Sequence, residues 1–468
     1  MRGFPNCLIS LTLLLLSFCF QCHANRPVFA HYMLYAPSGP DNLDGYKAEI
    51  RYAKSKGIDA FALNTNNWED VYKTRADGIY QAADELGFKI FFSLDMHRDN
   101  THLTAENVKE MITRYSSRAS QYSYNGKQFV STWLGNEDTV FDGYSNALEG
   151  WNKAVFDQIG GRDKYYFVTF FPTGGTEQEV TSMINKFNSL IDGLYAWDTS
   201  AWPYSSADNF NSPSNDKDQA YLRACKNARK SYMASVSPWF FKHDGCCNDV
   251  CTTPKDQTSC GCQVKGNYQG SGLWIKRWEQ IIKDQPDFVE IVTWNDWVER
   301  TYVAKMNNPN WGPQQSNDQD FPHEAFLELG SYYISWYKTG QQPSITDDSV
   351  FIFYYSQSAK ATATNDPCKP QNGNVLDDRV YVVTKLKSPA SVEVQSGGST
   401  QRFPVKAGVT TVSMPFQKGQ QSAKVTRDGA QILQVVGSKG ISNSFSTYDY
   451  NVYSGFSALI LPEFLTAA

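Results

Sequence analysis

The stretch FVEIVTWNDWVER, Phe288 to Arg300, decides the reading of the chain. The apolar run FVEIV reads as a buried strand, and it passes straight into TWNDWVER, where Asp296 and Glu299 stand three positions apart among indoles. Strands normally end in turn residues. Working backwards, seven runs of the same kind precede it: VFAHYML (28–34), IDAFALN (58–64), FKIFFSLD (88–95), QFVSTWL (128–134), YYFVTFF (165–171), DGLYAWD (192–198) and YMASVSP (232–238). Between them lie YKAEIRYAKSKG, GIYQAADELG and VKEMITRYSSRA, whose apolar residues recur at three and four, with Gly57 or Gly87 just before the next strand. HEAFLELGSYYISWYK follows the eighth run as a closing helix. Eight strand and helix repeats with near-continuous apolar strands predict a (β/α)8 TIM-like barrel. A doubly wound open sheet is the structural alternative, but no glycine-rich phosphate loop follows the first strand.

The linker TGQQPSITDDS, Thr339 to Ser349, changes the texture. Beyond it VFIFYYS, RVYVVTKL, SVEVQS, TQRFPV, VTTVSMPF, SAKVTRDG and QILQVVG alternate and are broken by Gly, Asn, Asp and Ser, which predicts a C-terminal antiparallel β-sandwich domain. The layout read from the sequence is a signal peptide over residues 1–24, the barrel over 25–340 and the sandwich over 349–468. No Trp follows Ser349, so polymer recognition is expected in the barrel mouth, with the sandwich as a structural partner.

The first residues pair Arg2 with an apolar run to about Phe20 and a small-residue site ending at Ala24, the pattern of a secretory signal. The run is short for a membrane span, and no later segment approaches about 18 uninterrupted apolar residues, so a soluble exported protein without a membrane partner is expected. A net charge of -5 and the lack of a long Lys or Arg run speak against nucleic acid. Aromatic residues make up 14% of the chain, a supply of rings able to stack on sugars as well as to fill a core.

In an exported chain the crowd of Cys246, Cys247, Cys251, Cys260 and Cys262 reads as a disulfide-stapled loop, with Cys225 as a sixth member and Cys368 left over. A zinc knuckle is the rival, but no clean pair of CxxC units and no His in register support it, so no metal is expected.

Catalytic residues of such barrels come from the C-terminal ends of strands, so TWNDWVER emerges at the mouth. Alternation puts Val292, Trp294 and Asp296 on one face, with Asp296 inward at the rim and Glu299 following. Two carboxylates flanking one site suit glycoside hydrolysis, in which one protonates the leaving oxygen while the other activates water or attacks the anomeric carbon. Trp294 and Trp297 are expected to limit solvent, raise the pKa of the acid and offer a stacking face. The alternative is that the pair caps the following helix or bonds Arg300. At other strand ends Asp95, His31, Asn64, Asp198 and Trp239 are candidate sugar contacts, with packing or capping as the competing role. The loop GNEDTVFD, with Glu137, Asp138 and Asp142, reads as solvated.

VFAHYML, GIDAFALN, QAADELGFKIFFSLD and VTWNDWVERTYV, in this order over about 26–338, resemble the fungal α-1,3-glucanases, or mutanases, of glycoside hydrolase family 71. The resemblance implies a secreted endo-hydrolase of α-1,3-glucan that inverts the anomeric centre; a monomer without a metal or organic cofactor is expected. It maps the catalytic pair onto Asp296 and Glu299 and implicates Asp95 in activity. Nothing in the sequence orders the pair; Glu299 is written as the acid and Asp296 as the base. The family pattern after the Asp is an aromatic, a small residue, Glu and Ser, whereas this chain has Val298 and Arg300 in the small and Ser positions. An endo-glycosidase of another α-glycan such as mannan, and a non-catalytic wall-glucan-binding protein, are the other readings.

Overall fold

The computed structural model describes residues 26–98, 102–199, 214–243, 263–265, 272–308, 320–366, 369–370, 372–373 and 376–458. The signal segment, Trp202, Cys368 and Cys246 to Cys262 lie outside the described residues.

Each of the eight apolar runs forms a strand: β1 Val28–Met33, β2 Ala60–Thr65, β3 Lys89–Asp95, β4 Lys127–Trp133, β5 Tyr165–Phe170, β6 Gly193–Ala196, β7 Ser231–Val236 and β8 Phe288–Ile291. All pair in parallel in the order β3-β2-β1-β8-β7-β6-β5-β4, and the β3 to β4 pairing, Ser93 opposite Ser131, closes the barrel. Helices α1 Leu43–Ser55, α2 Asp70–Leu86 and α3 Ala105–Arg114 follow the first three strands, and a helical stretch over 147–159 follows β4. Next come α4 Glu177–Lys186, α5 Asp216–Ala228, α6 Gly272–Asp284 and α7 Glu324–Thr339. Side chains set where helices start: Asn42 accepts from Gly45 N at α1, and Thr104 with Asn107 and Thr176 with Glu179 form capping boxes at α3 and α4. Among the described residues no helix is long and apolar enough to cross a membrane.

Alternation points every second strand residue into the barrel. The lower half is plugged by Phe29, Phe91, Phe129 and Phe288, whose neighbouring ring centroids lie 4.8–5.9 Å apart. Above this plug the inward positions include the small, buried Ala62, Ser93 and Ser131.

The chain then forms a β-sandwich from β9 Ser349–Tyr355, β10 Arg379–Leu386, β11 Ala390–Ser396, β12 Ser399–Val405, β13 Gly408–Pro415, β14 Gln421–Arg427, β15 Ala430–Val436 and β16 Val452–Ala458. One antiparallel sheet runs β13-β10-β9-β16 and the other β12-β11-β14-β15. β16 is an eighth strand absent from the sequence reading. All of β9 is buried: Val350, Ile352 and Tyr354 face the sandwich core, while Phe351, Phe353 and Tyr355 join the core of the barrel. Across that seam Phe353 meets Phe326 at 4.8 Å, Tyr355 meets Trp239 at 5.3 Å, and His243 Nε2 bonds Asp366 at 2.6 Å.

A seam this apolar couples the stability of the two parts. Calorimetry should therefore show one unfolding transition, and Phe353→Ala should lower it by about 3 kcal/mol while keeping it single. Two separable transitions in the native chain would contradict that coupling.

Candidate active site

The β8 ladder ends at Ile291, paired with Val236 and Ala30, so strand alternation does not extend to Trp294. Phe288 and Val292 face the barrel interior, but Trp294 turns outward and packs on Phe61 at 4.9 Å. Its Nε1–H donates to the buried carboxylate of Glu49 on α1 at 2.8 Å. Asn295 behaves as a piece of neighbouring strand. Its Oδ1 accepts from Met33 N at 2.8 Å, and its Nδ2 donates to Met33 O at 3.0 Å and Ala36 O at 2.7 Å. Trp297 donates to the same Ala36 carbonyl at 3.1 Å and lies against Tyr302 at 4.4 Å. Thr293 closes the loop: its N–H donates to Thr301 O at 3.0 Å, the two hydroxyls meet at 2.9 Å, and Thr293 Oγ1 accepts from Asp296 N at 2.8 Å. Trp294, Asn295 and Trp297 thus hold the turn, and Asp296 and Glu299 are the ionisable side chains that it carries toward the mouth.

Asp296 is only 6% exposed. Its Oδ1 accepts from Glu299 N at 2.9 Å and from the Tyr35 hydroxyl at 3.4 Å, so it caps the turn as well as facing the mouth. Burial is the largest influence on this carboxyl and raises its pKa; the N–H groups of Glu299 and Val298 and the charges of Lys242 and His31 pull the other way without cancelling it. Glu299 is half-buried, and its carbonyl accepts from Phe241 N at 2.9 Å. That bond docks the short strand Phe240–Lys242 on the motif and brings Lys242 within electrostatic reach of Asp296. Arg300, a departure from the family pattern, donates to Val298 O at 2.8 Å and lies over Phe241 at 5.8 Å.

The other strand ends gather at the same rim. His31 is 1% exposed, bonds Glu290 Oε1 through Nδ1 at 2.6 Å, and packs T-shaped against Trp197 at 4.8 Å between ring centroids. Asn64 is buried and donates to Ser93 O at 3.1 Å. Asp95, at the end of β3, accepts from His97 N at 3.0 Å. Asp198 bonds Lys217, and its buried Oδ1 has no partner among the described residues. Trp133 and Trp197, half-buried with rings 6.4 Å apart, supply the aromatic wall. Asp142 is solvated as expected, its side chain 87% exposed beside Arg98.

Four expectations are corrected. Trp294 and Trp297 are each 1% exposed and Trp239 is 0% exposed, so none of the three offers a ring to a sugar in this structure. Trp294 and Trp297 spend their faces on the core and their N–H groups on Glu49 and Ala36, while Trp239 packs into the sandwich seam. Cys225 is a buried free thiol on α5, its pKa pushed up to about 12 by burial; its helix turns it into the core. Tyr35, Lys242, Glu49 and Glu290 were not singled out as site residues. Only Glu290 had a signal of its own, an acid on the inward face of a buried strand.

A (β/α)8 barrel with two carboxylates on a fixed turn at its mouth is an arrangement that suits glycoside hydrolysis. The model of glycosyl hydrolase family 71 matches residues 24–459, and this chain belongs to that family. A glucan endo-1,3-α-glucosidase of Schizosaccharomyces pombe is 31% identical over 444 residues, covering 92% of this chain and 95% of its own. A mutanase of Penicillium rubens is 29% identical over 444 residues, covering 92% and 88%. Among solved structures, the GH99 endo-α-mannosidase from Bacteroides thetaiotaomicron aligns with a TM-score of 0.46 at 11% identity, over 68% of this chain and 98% of its own.

If Asn295 holds the turn as described, Asn295→Ala should cost about 2 kcal/mol or more, because it strands buried backbone groups of Met33 and Ala36. Thermal melting and glucan hydrolysis should fall together; unchanged melting would mean that the amide is not what pins the loop.

Proposed function

We propose that this enzyme cleaves α-1,3-glucan within the chain and inverts the anomeric centre, with Asp296 as general acid and Glu299 as general base. The observation that carries the reading is the pair of carboxylates in contrasting surroundings, Asp296 enclosed and Glu299 half-open, on a chain whose relatives are named as an endo-1,3-α-glucosidase and a mutanase. A general acid has to keep its proton until the leaving oxygen takes it, and burial favours that state for Asp296. This reverses the order written from the sequence. Glu299 then takes a proton from water as its oxygen attacks the anomeric carbon, and Asp296 gives a proton to the departing glycosidic oxygen on the opposite side. Trp133 and Trp197 form the stacking wall, and His31, Asn64, Asp95 and Asp198 supply hydrogen bonds to sugar hydroxyls. The scheme uses no metal or organic cofactor.

In the same reading residues 1–24 are an export signal, 25–340 the catalytic barrel and 349–468 a structural sandwich. The protein acts as a monomer outside the cell, on wall or foreign glucan.

Asp296→Asn and Glu299→Gln keep shape and remove the proton chemistry, so each should lower sugar release from α-1,3-glucan by on the order of 100-fold or more. Products analysed across a panel of α- and β-glucans and mannans should show oligosaccharides from α-1,3-glucan. Binding without release, or normal turnover by either folded variant, would sink the reading.

The roles can be told apart through Lys242, whose charge lowers the Asp296 pKa. Lys242→Gln should let that pKa rise further, so an acid at Asp296 stays protonated to higher pH and the alkaline limb of the kcat profile moves up. Were Asp296 the base, the acidic limb would move up instead.

A further inference from the structure

Below the carboxylate pair lies a second acid that the mechanism above leaves without a task. Glu290 sits on β8 between Phe288 and Val292, points into the barrel, and is fully buried at 0% exposure. A buried carboxylate is costly unless it is paired and hydrogen-bonded. One oxygen, Oε1, is 2.6 Å from His31 Nδ1. The other, Oε2, has no partner among the described residues, and neither do the buried Ser93 Oγ, Ser131 Oγ, Tyr195 Oη and Trp133 Nε1. All five belong to strand positions that alternation turns inward, above the phenylalanine plug. Tyr195 nevertheless lies near enough for the Glu290 charge to add to burial in raising its pKa, without a hydrogen bond of ordinary geometry. Small side chains with unused polar atoms directly below a mouth make a polar floor.

His31 links that floor to the mouth. Its ring is 1% exposed, packs T-shaped against Trp197, and its charge is felt by Asp296. Nδ1 is taken by Glu290, whereas Nε2 on the opposite edge bonds no described residue. We propose that Glu290 is a positioning residue: its carboxylate accepts Nδ1–H of His31, fixes the ring, and so presents Nε2 beside Asp296 to a hydroxyl of the glucosyl unit being cleaved. The logic is that of an acid orienting an imidazole, in which the bond at one nitrogen decides what the other can do. The inference rests on the glucanase reading for the identity of the sugar, but the orientation of the ring does not depend on it.

The test combines a spectrum with a mutant cycle on the full-length protein. With six histidines in the sequence, ring nitrogens of the 15N-histidine-labelled protein can be resolved by NMR, and the signals lost in His31→Ala identify residue 31. Hydrogen on Nδ1 of His31 is expected in the wild type. Glu290→Gln keeps the shape but has an amide that can donate as well as accept, so the hydrogen on Nδ1 is no longer enforced. This variant should lose on the order of 10- to 100-fold in kcat on α-1,3-glucan, with a smaller change in KM. In a His31→Ala background the same substitution should cost less than about twofold, since the residue acts through the ring. The proposal is overturned by a wild-type His31 carrying hydrogen on Nε2 alone, by a folded Glu290→Gln with turnover within about twofold of wild type, or by an undiminished loss in the His31→Ala background. If Glu290→Gln does not fold, the wild-type spectrum decides. A wild-type protein inert on α-1,3-glucan would refute the substrate assignment, while the spectrum would still test the Glu290 and His31 pair.

Discussion

The joint between the last strand's loop and the first strand's exit is the constraint on which the site depends. β1 and β8 are the chain-distant pair that completes the barrel, in register from Val28 opposite Val289 to Ala30 opposite Ile291. The regular ladder stops there; Trp294 N still donates to His31 O at 2.7 Å, and the amide of Asn295 then continues the pairing by side chain, matching both the N–H and the carbonyl of Met33. A side chain with a donor and an acceptor on one planar group can do this; Asp or Leu at the position cannot. Trp294 and Trp297 then anchor the turn on either side of Asp296, one to α1 and one to the loop after β1. The carboxylate is thereby aimed by groups that are themselves buried and bonded, the condition for holding catalytic geometry to a fraction of an ångström.

That arrangement explains what was legible in the sequence and what was not. The eight apolar runs are visible because a parallel strand covered on both faces has to be apolar nearly throughout, and a closing helix after the eighth run completes the count. The end of the eighth run was not legible. FVEIVTWND reads as one strand to Asp296, yet the ladder ends at Ile291, and counting by twos beyond that point assigned Trp294 to the wrong side. The indoles misled for a related reason: a Trp is equally suited to stack on a sugar and to fill a core while its N–H finds an acceptor. Trp239, Trp294 and Trp297 took the second course, whereas Trp133 and Trp197 stay half-buried. Lys242 and Tyr35 reach Asp296 from strand exits far away in the sequence, and no local pattern announces such a meeting. β16 escaped because VYSGFSA is interrupted by Ser and Gly, and only pairing with β9 across the sheet makes it a strand.

The sandwich belongs to the same argument. β9 is apolar on both faces because one face closes the sandwich core and the other meets the barrel, where Phe351, Phe353 and Tyr355 pack. The seam also holds polar pieces: His323 lies between the carbonyls of Tyr302 and Val452, and Asn451 donates to the Tyr302 hydroxyl at 3.0 Å. Tyr302 in turn packs on Trp297. A contiguous path of buried groups therefore runs from the second domain to the turn that carries Asp296, so the sandwich backs that turn through packing.

The same burial that makes the turn rigid also sets its chemistry. Asp296 is surrounded by packed residues because its neighbours Asn295 and Trp297 must reach the loop after β1, and that enclosure is the largest influence on its proton. Glu299, two residues beyond the second indole, lies past the last of these anchors and keeps partial access to solvent. Two carboxyl groups of nearly equal intrinsic acidity thus meet different surroundings because of where the anchors fall between them, and contrast of that kind is what can push the pKa values of neighbouring carboxyls apart.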